Sequence, residues 1–294
     1  MRNSFAVTTA GLLAVAVFSS LAMAQMPQSQ SQSQSQSQGN PWKFNPKAIP
    51  TDAGGPAPKR DFNGTWAGPG SAPAVPRGAQ AEKPMLTPLG QQLMSPNKPI
   101  GKFSPAGTND PHARYCDPVG FPSNIYTEGR GLTIAALPDR VLFLLQYMSI
   151  WREAWTDGRA LPKDVGGTQK DALDPTYNGY SVAHWEDDNT LVVETTGMDD
   201  KTWLNGQGYP HSLNAKVTER YTRPDHNDLK LTVTFDDPTI YTKAFALGGA
   251  NYKWNPNQKM DDFSCIPSQV IKYLTEFGDP AGSDPNAPEE RIGR

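Results

Sequence analysis

The chain has 294 residues, 27 basic against 30 acidic side chains and a formal net charge of −3. That mild acidity, with no basic stripe along the chain, argues against nucleic acid as a partner. With 28 prolines and 26 glycines, it should be rich in turns and long irregular connections.

Arg2 precedes an apolar run from Phe5 to Met23, which closes on Ala22-Met23-Ala24. A short basic start, an apolar centre and a small-x-small end define a cleavable secretory signal, so residues 1–24 are expected to be removed on export. Thr8, Thr9, Ser19 and Ser20 dilute the run and no basic cluster follows it. A permanent membrane anchor is therefore the weaker reading, and no later run is long enough to span a bilayer. Residues 25–60 open on Gln-Ser alternation and continue rich in Pro and Gly, with Trp42 and Phe44 embedded. Too polar to collapse, this stretch reads as a disordered linker. The working compartment is then periplasmic or extracellular.

A single domain is expected over 61–277, starting with a short strand at Asp61 to Trp66. The irregular stretch 67–122 holds one short helix, Thr87 to Met94. Thr87 can cap it, Pro88 suits its first position, and Leu89 and Leu93 share a face. From 130 onward the polarity alternates with period two, the mark of half-buried strands. Leu132 to Leu137 and Arg140 to Tyr147 flank Pro138-Asp139, and Ile150 to Thr156 follows. Ser181 to Trp185 and Thr190 to Thr196 flank an acidic turn. Ala215 to Arg223 and Leu229 to Asp236 flank Pro224 to Asp228. Ile240 to Ala246 and Tyr252 to Trp254 complete the set. Many short strands joined by tight turns imply an all-β fold, an antiparallel meander closing into a barrel. A short helix at Ser268 to Phe277 should pack outside it, and 278–294, rich in Pro, Asp and Glu, should be a flexible tail.

The chain has two cysteines, Cys116 and Cys265. Export to an oxidising compartment makes a disulfide the expected state, although two separate buried thiols stay open. With no CxxC and no His pair nearby, the thiols make no metal site.

Gly179-Tyr180-Ser181-Val182, Trp185, Leu191 to Thr195 and Thr202-Trp203-Leu204 form a recurring pattern with Pro210-His211-Ser212, Val217 to Tyr221 and Asp236-Asp237-Pro238. Across about residues 61–265 it resembles a widespread family of secreted bacterial proteins of unassigned function. That resemblance brings no catalytic residues with it. Gly64-Thr65-Trp66 ahead of a meander is also similar to lipocalin or calycin-type β-barrels.

Alternation also assigns candidate chemistry. Glu219 shares a face with Val217 and Tyr221, which puts a carboxylate among apolar neighbours; Glu194 lies with Val192 and Thr196. Such a carboxylate either pairs with Arg152 or Arg220, or rises in pKa as a general acid or base. Among four histidines, none spaced for a metal, His211 in its Gly/Pro-flanked loop is the candidate for acid–base work. His184 could point inward in a structural role, and His226 beside Asp225 and Asp228 reads as solvated. Trp151 and Trp155 share a strand face, with Tyr180 and Trp203 on neighbouring segments, and rings so placed could hold an apolar or aromatic ligand.

The chain lacks a GxSxG elbow, a Gly-rich dinucleotide fingerprint, a phosphate loop and an HExxH pair, which lowers the main hydrolase and nucleotide-dependent classes. The leading expectation is a cofactor-free barrel binding a small apolar or aromatic molecule. Trp151, Trp155, Tyr180 and Trp203 would line the pocket, with Arg152 and Glu219 as polar anchors. A cofactor-free lyase, isomerase or hydrolase on the same scaffold is the alternative. It would use His211 with Glu219 or Glu194 as the acid–base pair and Arg152 to stabilise developing charge. An envelope-associated interaction module is the third. Oligomeric state is left open.

Overall fold

The computed structural model describes residues 49–68, 83–99, 107–126, 131–260 and 264–276. The expected leader, the linker up to residue 48, Trp42 and Phe44, and the tail 278–294 lie outside the described residues. Nine strands run in chain order: β1 Gly64–Ala67, β2 Leu132–Ala136, β3 Arg140–Leu145, β4 Ile150–Trp155, β5 Tyr180–Trp185, β6 Thr190–Thr196, β7 Lys216–Thr222, β8 Asp228–Asp236 and β9 Phe245–Trp254. Each pairs with its sequence neighbour and β9 pairs with β1, so the sheet is a closed all-β barrel. Closure leaves no terminal strand to pair with another molecule. The short helices are α1 Pro88–Met94, α2 Pro111–Tyr115, α3 Ser123–Tyr126 and α4 Pro267–Glu276.

One pair departs from the expected antiparallel meander. β4 and β5 run parallel, joined only at Ala154–Ser181 and Trp155–Val182. Nine is odd, and strands that alternate strictly in direction cannot close a ring of odd number. One parallel seam is therefore obligatory, and residues 156–179 must cross the height of the wall to make it. The other correction is at the last strand. Ile240 and Tyr241 are buried in a turn, while the strand expected at Tyr252 begins already at Phe245. It passes through Gly248-Gly249 with a bulge opposite Val233 and Thr234. A side chain at Gly249 would collide with the Leu231 carbonyl, so the wall closes up there only around glycine.

Alternation decides which side chains are inside. Leu229, Leu231, Val233 and Phe235 of β8 are buried while Lys230, Thr232 and Thr234 face out. Strand directions bring together at one end the strand termini that the long connections join: Ala67 and Leu132, Leu145 and Ile150, Thr196 and Lys216, and Asp236 and Phe245. The tight turns 137–139, 186–189 and 223–227 lie at the other.

The turn end is sealed by Arg223, whose guanidinium lies 4.7 Å from the Trp66 ring and 5.4 Å from the Trp254 ring. It donates to the carbonyls of Asp61 and His226, both at 2.7 Å. Residues 49–60, expected as disordered linker, lie across this end. Trp254 Nε1 donates to the Pro50 carbonyl, Asn227 to Asp52, and the His226 amide to the Gly55 carbonyl. Chain without a core of its own is ordered here by donors that the barrel supplies.

The connection-rich end is closed by loops. Thr87 caps α1 as expected, accepting from the Gly90 amide at 3.1 Å. Its Leu89 and Leu93 face solvent rather than the core. The buried residue is Gly90, set so tightly against the Ile240 carbonyl that no Cβ fits. α4 packs against α2, tied to it by the disulfide Cys116–Cys265. No helix among the described residues is long and apolar enough to cross a membrane.

Candidate functional site

Inside the wall, four strands contribute one polar cluster. Arg152 of β4 meets Glu219 of β7 end-on, Nη1 to Oε1 at 3.0 Å and Nη2 to Oε2 at 2.7 Å. Nη2 also reaches Thr195 Oγ1 at 3.2 Å, and Tyr221 donates to Glu219 Oε1 at 2.7 Å. Ser181 of β5 bonds Thr195 of β6 at 2.8 Å. The guanidinium stacks 3.8 Å from the ring of Phe121, which descends from the loop end. Burial alone would lower the Arg152 pKa, but the Glu219 carboxylate beside it holds it above its usual value. Burial, then the Glu219 charge, pushes the Tyr221 hydroxyl well up. Of the two fates open to Glu219, the geometry is that of a buried ion pair with every carboxylate neighbour a donor.

The other candidates are dispersed. Glu194 points outward and pairs with Lys216, because Val193 and Thr195 take the inward positions of β6. Arg220 also faces out, against Glu186. His184 is exposed, correcting the inward placement, since Ser181 and Ala183 fill the inner face of β5. His226 packs edge-on to Trp254 and bonds Asn227. His211 is buried in the loop end, its Nε2 2.9 Å from Thr202 Oγ1. The Thr202 hydroxyl donates to the Asp199 carbonyl, so it accepts from Nε2–H and leaves the Nδ1 lone pair bare. His211 and Glu219 share no hydrogen bond; the expected acid–base pair is not assembled.

Burial is also the main reason the His211 pKa is lowered, opposed first by the Ser212 backbone and then by the charges of Asp237, Asp200 and Asp199. The consequence for stability has a definite sign. Above an unfolded value of about 6.5 both states hold the ring neutral and the full stability is present. As pH falls below it, the unfolded chain binds a proton that the folded one resists, and stability is lost until the folded pKa is passed. Urea midpoints at about pH 7.5 and about pH 5.5 should therefore fall more for wild type than for His211→Asn. Equal falls would show that His211 is not held neutral.

The aromatic set divides. Trp151 is 61% exposed on the outer wall and Trp155 also faces outward, since Arg152 and Ala154 occupy the inner face of β4. Trp203 lies in the loop end. Trp155 and Tyr180 do come together, at the parallel seam. There the crossover 156–179 roofs a groove of about 250 Å³, with Pro162, Leu173 and Val182 as apolar walls and Arg159 and Glu153 at its edge. Trp155 is held by two guanidinium groups, Arg140 and Arg159, each 3.5 Å from its ring. Arg140 is in turn fixed by Asp139 at 3.0 Å and Glu153 at 2.9 Å, and Arg159 by Asp157 at 2.6 Å. Tyr180 is fixed through its hydroxyl, which donates to the Asp174 carbonyl at 2.7 Å. Ser181 joins the groove to the interior cluster, since it lines the one and bonds Arg152 in the other at 3.3 Å.

Sequence reasoning missed Arg140, Arg159 and the crossover wall. The only signal was the density of charge around Trp155, from Asp139-Arg140 and Asp157-Gly158-Arg159. Among the described residues no cluster of His, Cys, Asp or Glu could hold a metal ion. Comparisons with protein families, with curated proteins and with solved structures find no match for this chain. Its chemistry therefore rests on its own geometry.

Proposed function

We propose that this is an exported β-barrel that binds a small, flat, largely apolar or aromatic molecule. The binding site would be the outer groove of the parallel seam, not the barrel interior. One observation carries the reading: Trp155 and Tyr180, each locked by its own partners, face a groove of about 250 Å³ with apolar walls. Concave, apolar sites with a few polar groups at the rim are where small ligands bind, and rings that need no rearrangement lower the ordering cost of binding. The volume suits a molecule of two or three rings. The disulfide and the expected leader at residues 1–24 support export.

A cofactor-free enzyme has less support. Its carboxylate, Glu219, is engaged by Arg152 and Tyr221, and its base, His211, bonds elsewhere.

A neutral fluorescent probe such as phenylnaphthylamine tests the binding reading. Its emission should rise on titration into the full chain. Trp155→Ala and Tyr180→Ala should each weaken binding about tenfold or more, about 1.4 kcal/mol, and Trp151→Ala should leave it unchanged. A response lost equally in Trp151→Ala, or untouched by Trp155→Ala, would put the probe elsewhere.

A further inference from the structure

A second cavity lies in the loop end and shares no lining residue with the groove. It measures about 40 Å³ and is lined by Asp110, His112, Val119, Ser123, Trp203 and Asn205, among others. That is room for a few water-sized groups, not for a ring.

Its polar lining is specific. Asn205 is 7% exposed, and its Nδ2 has no hydrogen-bond partner. The amide cannot turn round without loss, because its Oδ1 accepts from the Gln207 amide at 2.9 Å. A buried donor left without an acceptor costs about 1–3 kcal/mol, so an acceptor is called for here. Asp110 caps α2, its Oδ1 accepting from the His112 and Ala113 amides at 2.9 and 3.2 Å. Its Oδ2 accepts from no described residue and is open to a donor. His112 cannot serve as that donor. Its Nδ1 faces the Asp117 carbonyl at 2.7 Å and so must carry the hydrogen, while Nε2 bonds the Tyr147 hydroxyl at 2.6 Å. With both nitrogens taken, Asp110, His112 and Ser123 form no nucleophilic triad, although all three line one cavity.

The two open groups therefore select by charge. An anion would satisfy Asn205 but meet the Asp110 carboxylate. A cation would satisfy Asp110 but offer nothing to Asn205. A hydroxyl group both accepts and donates, and so satisfies both. The indole of Trp203 and the side chain of Val119 offer apolar surface to the carbon beside such a hydroxyl. We propose that this cavity is a binding site for the hydroxyl or hydroxymethyl group of a small neutral polyol, a sugar or sugar alcohol whose remaining atoms lie outside it.

Saturation-transfer NMR on the full, oxidised chain tests this with glycerol and glucose as probes and acetate and methylammonium as charged controls of similar size. Wild type should transfer saturation to glycerol and glucose and not to either ion. Asn205→Leu should reduce the transfer at least tenfold. Asp110→Asn, which keeps a helix-capping side chain, should let acetate bind, and it provides the test should Asn205→Leu fail to fold. No transfer to either polyol in wild type, transfer to acetate or methylammonium as strong as to glycerol, or an unchanged signal in Asn205→Leu would each overturn the proposal.

Discussion

Replacing Glu219 by Ala should lower the unfolding free energy by about 3–5 kcal/mol, a large part of the total for one domain. The loss is not the strength of an ion pair. It is the cost of leaving Arg152, 4% exposed and inside the barrel, without its carboxylate. Thr195 and Ser181 would still accept from Nη2, but neither carries charge. Tyr221 would lose the acceptor of its hydroxyl as well. The same reasoning makes the double variant Arg152→Met with Glu219→Leu far milder than either partner's removal, since well-packed apolar groups of similar volume replace buried pairs with little net cost. Urea midpoints of the two single variants and the double variant decide the matter. A Glu219→Ala variant within about 1 kcal/mol of wild type would mean that water reaches the pair.

Loss of the disulfide is the second large effect. Cys116 and Cys265 are separated by 149 positions, and closing so long a loop restricts the unfolded chain by an amount the entropic account puts at about 5 kcal/mol. Removal of native disulfides typically costs about 2–5 kcal/mol. The Cys116→Ser, Cys265→Ser variant should therefore fall in that range, with a particular pattern. Among the described elements α4 packs chiefly against α2, whereas the wall is held by strand pairing all the way round. Hydrogen exchange should show protection lost first in Pro111–Tyr115 and Pro267–Glu276, with β6 to β8 keeping theirs. Equal loss through the barrel would make the disulfide part of the barrel's cooperative unit rather than a clamp on its loop end.

Much of the wall is legible from local pattern. Period-two alternation and the turns at Pro138-Asp139, Glu186 to Asn189 and Pro224 to Asp228 place β2 and β3 and β5 to β8 within a residue or two. Glu219 was readable as an inward carboxylate because its own strand carries the pattern. Its link to Arg152 was legible as one of two partners, and choosing between them takes the pairing of four strands. What failed did so for physical reasons. Alternation cannot say which face is inner when both carry large or charged groups, and β4 presents Trp151, Glu153 and Trp155 against Arg152 and Ala154. Burying two tryptophans looks favourable locally, but the Glu219 carboxylate across the barrel decides in favour of Arg152. The parallel seam follows from strand count, which no local window contains. The groove depends on that seam and on a crossover whose Pro162 and Leu173 carry no periodic signal.

The central claim is that ligand binds in the outer groove and not in the barrel lumen. Methyl-labelled protein titrated with phenylnaphthylamine and followed by NMR tests it most directly. The groove reading predicts shifts at Leu173 and Val182, which line the seam, with Val193 and Leu231 inside the barrel unmoved. Shifts at Val193 and Leu231 with Leu173 and Val182 silent would contradict it and return the ligand to the interior.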